Sequence, residues 1–159
     1  MPKIVQLLAS PAHRYEGRPA DGPRPAPPGE LVQVIQIRER LGVVGDRYFG
    51  KPAHRDASVT VIAQESRPPG ADLVQVRRNI LVAGIDVDAL VGSVLSLDSG
   101  DGPVALEVRR PANPCAWLDV TIGPGTRQAL RGHGGIRCVP LNDGVLRVGP
   151  VTVSVQLFH

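Results

Sequence analysis

The sequence predicts a mostly β fold, a barrel or a sandwich of many short strands. Short apolar runs, many of them β-branched, recur along the chain, and that texture belongs to strands rather than helices. Glycines or Asp-Gly pairs separate the runs, as at Gly92, Gly100-Asp101-Gly102, Asp143-Gly144 and Gly149, which is the punctuation of hairpins. Helical patterns are few and short.

Taken in order, residues 3–9 read as a first strand. Residues 17–29 hold Pro19, Pro23, Pro25, Pro27 and Pro28 among Gly17, Gly22 and Gly29. Proline neither donates to a ladder nor continues a helix, so this stretch is a loop. Its polar approach, His13, Tyr15, Glu16 and Arg18, suits either a lid over a pocket or a solvated surface. Residues 31–37 alternate as a strand, and Gly42, Gly45 and Gly50 then mark a turn-rich region. Residues 58–63 form a β-branched strand. After the Pro68-Pro69-Gly70 break, residues 72–76 and 79–82 look extended, and 86–91 suit one helical turn stopped by Gly92. Further strands are expected over 94–97, 104–109, 145–148 and 151–157, with a second short helix over 125–131.

A length of 159 residues is that of one domain, 1–159, with 17–29 as an internal loop. Apolar residues at 42% and charged residues at 21% are globular values, which excludes a disordered or fibrous chain. No apolar stretch approaches the roughly 20 residues that span a bilayer. The start, Met1-Pro2-Lys3-Ile4-Val5, lacks the pattern of a secretory signal, so a cytoplasmic location is expected, with Cys115 and Cys138 reduced. A net charge of +3 favours anionic partners, but the arginines are scattered and form no long basic block. Aromatic residues are 3% of the chain, too few for the stacking platforms of single-strand binders. A phosphate-bearing small ligand therefore fits better than nucleic acid.

Candidate chemistry centres on Cys115. Asn113-Pro114-Cys115 follows Arg109-Arg110-Pro111, and two prolines stiffen the turn that presents the thiol. Nearby arginine favours the thiolate, the form that binds metal or attacks carbon; the alternative is a small buried apolar residue. Arg77-Arg78-Asn79 supplies guanidinium forks for phosphate and an amide for a heterocycle edge, or else a solvated strand edge. Asp46 and Arg47 in the glycine-rich 42–50 turn, with Lys51, His54 and Arg55 after it, suit a second wall or a plain surface loop. His133, in Arg131-Gly132-His133-Gly134-Gly135, is a candidate proton donor or a structural turn residue. His13, His54, His133 and His159 fall at no zinc spacing, so zinc is not expected.

The turn Gly45-Asp46-Arg47-Tyr48-Phe49-Gly50, the run Arg77-Arg78-Asn79-Ile80 with Gly84 and Leu90-Val91-Gly92, and Asn113-Pro114-Cys115 together resemble the MOSC domain. That domain is named for the carboxy-terminal part of molybdenum-cofactor sulfurases. The likeness runs in family order from about residue 41 to 153 and takes in Gly134-Gly135, Asp143-Gly144 and Val148-Gly149. It implies a bent, largely antiparallel MOSC-like β-barrel with a few short helices. It also implies that Cys115 ligates molybdenum or carries sulfur, and that Arg77, Arg78 and Asn79 hold a molybdenum–pterin cofactor. Asp46, Arg47, Arg55 and Asn113 follow as further cofactor contacts. Two departures stand out. Gly149-Pro150 replaces the family's closing Gly-Asp, and the first 40 residues match only loosely.

The resemblance thus implies an oxidoreductase that binds a molybdenum–pterin cofactor through Cys115 and removes oxygen from small N-hydroxylated substrates. No flavin, iron–sulfur or sulfurase segment accompanies it in the sequence, so a separate electron-donor or sulfur-donor protein is expected. Two other readings use the same residues: a sulfur carrier with a persulfide on Cys115, and a non-catalytic module that binds an anion.

Overall fold

A computed structural model of the chain describes residues 1–68 and 71–157. Pro69 and Gly70 of the expected break, and Phe158 and His159, lie outside the described residues. The first strand, β1 (Lys3–Leu8), already separates two cores. A bulge between Ile4 and Gln6 shifts its phase. Ile4 and Leu7 therefore enter the main core, while Leu8 faces a second cluster.

The loop over 17–29 contains one 3-10 turn, Pro19–Asp21, and leads into β2 (Leu31–Val32). A bend at Gln33 separates β2 from β3 (Val34–Arg38), so the expected 31–37 strand is two strands that pair with different partners. Next come β4 (Gly42–Val43) and β5 (Val59–Ala63). Every residue of β5 is buried, as befits a strand covered on both faces.

Residues 72–76 correct the sequence reading: they are helical, as α1 (Leu73–Val76), and not extended. The Asp72 side chain accepts from the Val74 and Gln75 amides while Gln75 reaches back to the Asp72 amide. This capping box satisfies the donors that a strand would have sent to a neighbour. Leu73 and Val76 then pack with Leu8, Ile62 and Leu81 to form the second cluster.

The rest of the chain supplies β6 (Ile80–Ala83), a 3-10 turn at Val87–Leu90, β7 (Ser93–Asp98) and β8 (Pro103–Pro111). Between β8 and β9 (Ile136–Pro140) lie α2 (Trp117–Thr121) and α3 (Thr126–Ala129). Neither α2 nor β9 was expected from the sequence. The chain ends in β10 (Gly144–Arg147), β11 (Gly149–Pro150) and β12 (Thr152–Leu157).

One sheet runs β11-β1-β6-β5-β9-β8-β7-β12, with β2 also on β1; within it only β5 and β6 are parallel. Its two end strands, β11 and β12, are consecutive in the chain across Val151. The sheet therefore curls until one length of chain pairs with β1 at its start and with β7 along the rest. Pro150 sits opposite Lys3 in the two-residue β11 pairing. A small sheet, β10-β3-β4, adds Ile35, Ile37, Val43 and Leu146 to the main core. The mostly β, antiparallel-rich class read from the sequence is the observed one. No helix among the described residues is long and apolar enough to cross a membrane.

Candidate functional site

A cavity of about 270 Å³ opens where four elements converge. These are residues 13–15, the 47–48 turn, the junction of α1 with β6, and the segment from β8 into α2; Arg137 of β9 closes the floor. The volume lies just under the roughly 300–1,000 Å³ of typical small-molecule pockets.

Cys115 is exposed and lines this cavity, whereas Cys138 lies in the core of β9. Burial in hydrocarbon pushes the Cys138 thiol far up, out of the reactive range. The turn that mounts Cys115 is held from behind by Gly134. A Cβ on Gly134 would stand 2.2 Å from the Ala112 carbonyl oxygen and 3.0 Å from Pro114 Cδ. Only glycine lets the two backbones approach so closely.

Of the five arginines that line the cavity, Arg14 donates to the Arg24 and Val74 carbonyls, and the other four fall into two groups. Arg77 is buried, and its Nη1 donates to both Glu30 carboxylate oxygens at 2.9 and 2.8 Å while Nη2 donates to Ala12 O at 2.9 Å. Its φ of +57° places it in the left-handed region, where it ends α1. Arg47 is likewise buried, donating to Asp46 Oδ1 at 3.2 Å and to the Arg77 carbonyl at 3.2 Å. Asp46 accepts in addition from the Ser10 amide. These two cations are tied to carboxylates.

Arg78 and Arg137 are not. Arg78 donates only to backbone carbonyls, those of Gly134 at 3.0 Å and of Val76 and Ala112 at 3.3 Å. It thereby clasps the cysteine turn to the glycine pair and keeps N–H groups spare on Nη1 and Nη2. Arg137 is half-buried and makes no hydrogen bond or ion pair among the described residues. A bulge between Val108 and Arg110 sets Arg110 directly opposite Arg137 across β8 and β9. Like charges so placed repel.

Loss of solvation first, and then Arg137, lower the Arg78 pKa to about 10, with Cys115 and Tyr48 opposing. Arg137 is lowered chiefly by burial as well, with Tyr48 working against it. Both remain cations at neutral pH. His54 packs against Tyr48 at 4.3 Å between ring centroids, tilted by 42°; its pKa is lowered by burial first and then by Arg137, His13, Arg110 and Arg47. Tyr15 stacks on Trp117 at 5.3 Å and 8° to complete the apolar wall.

Of the residues singled out in the sequence, Cys115, Asn113, Arg47, Arg77 and Arg78 line the cavity, as do His13 and Tyr15 of the expected lid. Asn79 does not. Its Oδ1 accepts from the Thr60 amide and hydroxyl and its Nδ2 donates to Leu8 O, so the amide ties β1, β5 and β6 together. Asp46 holds Arg47 from behind, and Arg55 is exposed outside the lining. His133 is exposed, 3.9 Å from Asp88, and also outside the cavity. Sequence reasoning missed Arg137, Tyr48, Arg14 and Trp117 as lining groups. The apolar alternation around Arg137 in Ile136-Arg137-Cys138-Val139 was the available signal for β9.

No protein-family model and no curated protein matches the sequence. Among solved structures, the YuaD protein from Bacillus subtilis aligns with 100% of this chain and 98% of its own, at a TM-score of 0.72 and 16% identity. YiiM from Geobacillus stearothermophilus covers 97% of this chain and 75% of its own, at a TM-score of 0.58 and 16% identity. YiiM from Escherichia coli covers 96% and 69%, at a TM-score of 0.56 and 15% identity. At such identities the likeness is one of fold, and it supports the MOSC-like architecture that the sequence motifs imply.

Proposed function

We propose that the chain binds a molybdenum–pterin cofactor through Cys115 and removes oxygen from small N-hydroxylated molecules, using electrons from a separate donor protein. One observation carries this reading: an exposed thiol shares a cavity with three arginines, Arg14, Arg78 and Arg137, that have no carboxylate partner among the described residues. Burying cations without counter-charge is costly unless a ligand supplies the charge. The donor set fits the group, since a thiolate is a soft metal ligand and guanidinium forks suit phosphate.

Cys115 would hold the metal, while Arg78 and Arg137 would hold the phosphate through charge-assisted bonds worth about 1.5–3 kcal/mol each. Arg77 and Arg47, already ion-paired, stiffen the wall instead of spending their charge on the ligand. When bound, the group supplies two-electron exchange at a metal centre. The Tyr15–Trp117 stack shields one side from water. Tyr48 presents its phenol at the cavity wall, with His54 packed against it at a tilt, and would serve as the proton donor in place of His133, which is exposed and outside the lining.

Metal and pterin analysis of freshly purified protein tests this directly. Wild type should carry both, Cys115→Ser should lose molybdenum, and Arg78→Gln with Arg137→Gln should lose both. Wild-type protein that lacks both, from a host that makes the cofactor, would overturn the reading. A sulfur adduct confined to Cys115 in its place would mark a persulfide carrier.

A further inference from the structure

A second hollow, of about 340 Å³, adjoins the first and is lined by Asn113, Pro114, Arg127 and Arg131. Asn113 lines both, so the two hollows flank a single turn, the one that mounts Cys115. Arg127 lies in α3 and Arg131 just beyond it, four residues apart. Both are exposed, and neither has an ion-pair partner among the described residues. The neighbouring acid, Asp119, accepts instead from the Arg127 backbone amide at 2.9 Å. Two guanidinium groups that line one hollow repel, whereas an oxyanion between two guanidinium forks is held by several charge-assisted bonds. Pro114, packed against Gly134, fixes the wall between the hollows.

We propose that this second hollow is an oxyanion subsite that takes the carboxylate or phosphate of the molecule reacting at Cys115. The substrate class is then an acidic small molecule whose reactive end enters the first hollow while its anionic end is held by Arg127 and Arg131. The naming of the substrate rests on the proposed function above; the anion site itself does not. Both arginines are exposed, so their replacement should leave folding intact.

The probe is inorganic phosphate, titrated calorimetrically into metal-free protein. Wild type should show two classes of site. Arg127→Gln with Arg131→Gln should weaken one class at least tenfold, while Arg137→Gln weakens the other. Identical titrations for wild type and the Arg127/Arg131 double variant would overturn the subsite. A second measurement compares alkylation of Cys115 by iodoacetate and by the neutral iodoacetamide. The ratio of the two rates should fall several-fold in the double variant, and an unchanged ratio counts against the proposal. Molybdenum and pterin content should be unaffected in that variant; its loss would assign the oxyanion to the cofactor and overturn the substrate assignment. If wild type never carries molybdenum but phosphate still titrates against Arg127 and Arg131, the cofactor reading falls and the subsite stands.

Discussion

Two walls of the same cavity treat the same side chain in opposite ways. On the wall from residues 10–47 and α1, Arg47 and Arg77 are buried against Asp46 and Glu30, while the less buried Arg14 donates to the Arg24 and Val74 carbonyls. On the wall from β6, β9 and the cysteine turn, Arg78 donates only to carbonyls, and the Arg137 side chain has no hydrogen bond or ion pair among the described residues. The first wall is finished by the chain itself, and its arginines serve the fold. The second is left short of negative charge, which is how a protein reserves affinity for an anionic ligand.

The contrast breaks most visibly at Glu30. Glu30→Ala leaves the Arg77 guanidinium buried and unpaired, so unfolding by denaturant should show a loss of about 3–5 kcal/mol. Replacing both residues with apolar side chains of similar volume should recover most of it. On the other wall Arg137→Gln should leave the ligand-free protein as stable as wild type or slightly more so, because it removes a repelled cation. The same change should weaken anion binding about 10- to 150-fold, the equivalent of one charge-assisted bond of about 1.5–3 kcal/mol. A large stability loss in Arg137→Gln would erase the distinction between the walls.

Gly134→Ala sharpens the comparison in another way. The added methyl would press on Ala112 O and Pro114, and overpacking of this kind costs about 1–3 kcal/mol. Because the strain falls on the Cys115 turn, the metal proposed to bind there should be retained less well, and thermal stability should drop with it. Retained metal at full occupancy would show that the turn has more freedom than this packing implies.

How much of this was legible in the sequence follows a physical line. Strands β7 and β8 announce themselves because a buried face repeats every second residue, β5 through a continuous apolar and β-branched run, and Cys115 through the prolines around it. The helix α1 carried a legible sign, Asp72 and Gln75 three apart, but four residues are too few for apolar periodicity to outweigh an extended reading. Asn79 was misplaced because a buried amide that cross-links strands and one that reads a heterocycle look identical in one dimension. The division of labour among the arginines was invisible for the same reason. Glu30 and Arg77 are 47 residues apart, and their pairing exists only once β2 and α1 are folded together. Arg137 went unnoticed because β9 was not foreseen, and its neighbour Arg110 reaches it only through a bulge.

The smallest expected effect reports on the unfinished wall most directly. His54 sits among Arg137, His13, Arg110 and Arg47, and burial first, then these neighbours, hold its pKa below the ordinary 6.5. Protonation is thus harder in the folded chain than in the unfolded one. Stability contributed by neutral His54 is complete above pH 6.5 and declines as pH falls from there through the lower, folded value. An oxyanion bound by Arg78 and Arg137 offsets the positive field, so the His54 pKa should rise when phosphate is added. Arg137→Gln, which removes one of the cations, should raise it without phosphate. Proton NMR titration of the His54 ring, assigned with His54→Gln, reads both shifts. If phosphate binds and the His54 midpoint stays where it was, the anion is not seated among these arginines, and the carboxylate-free wall must be unfinished for some other reason.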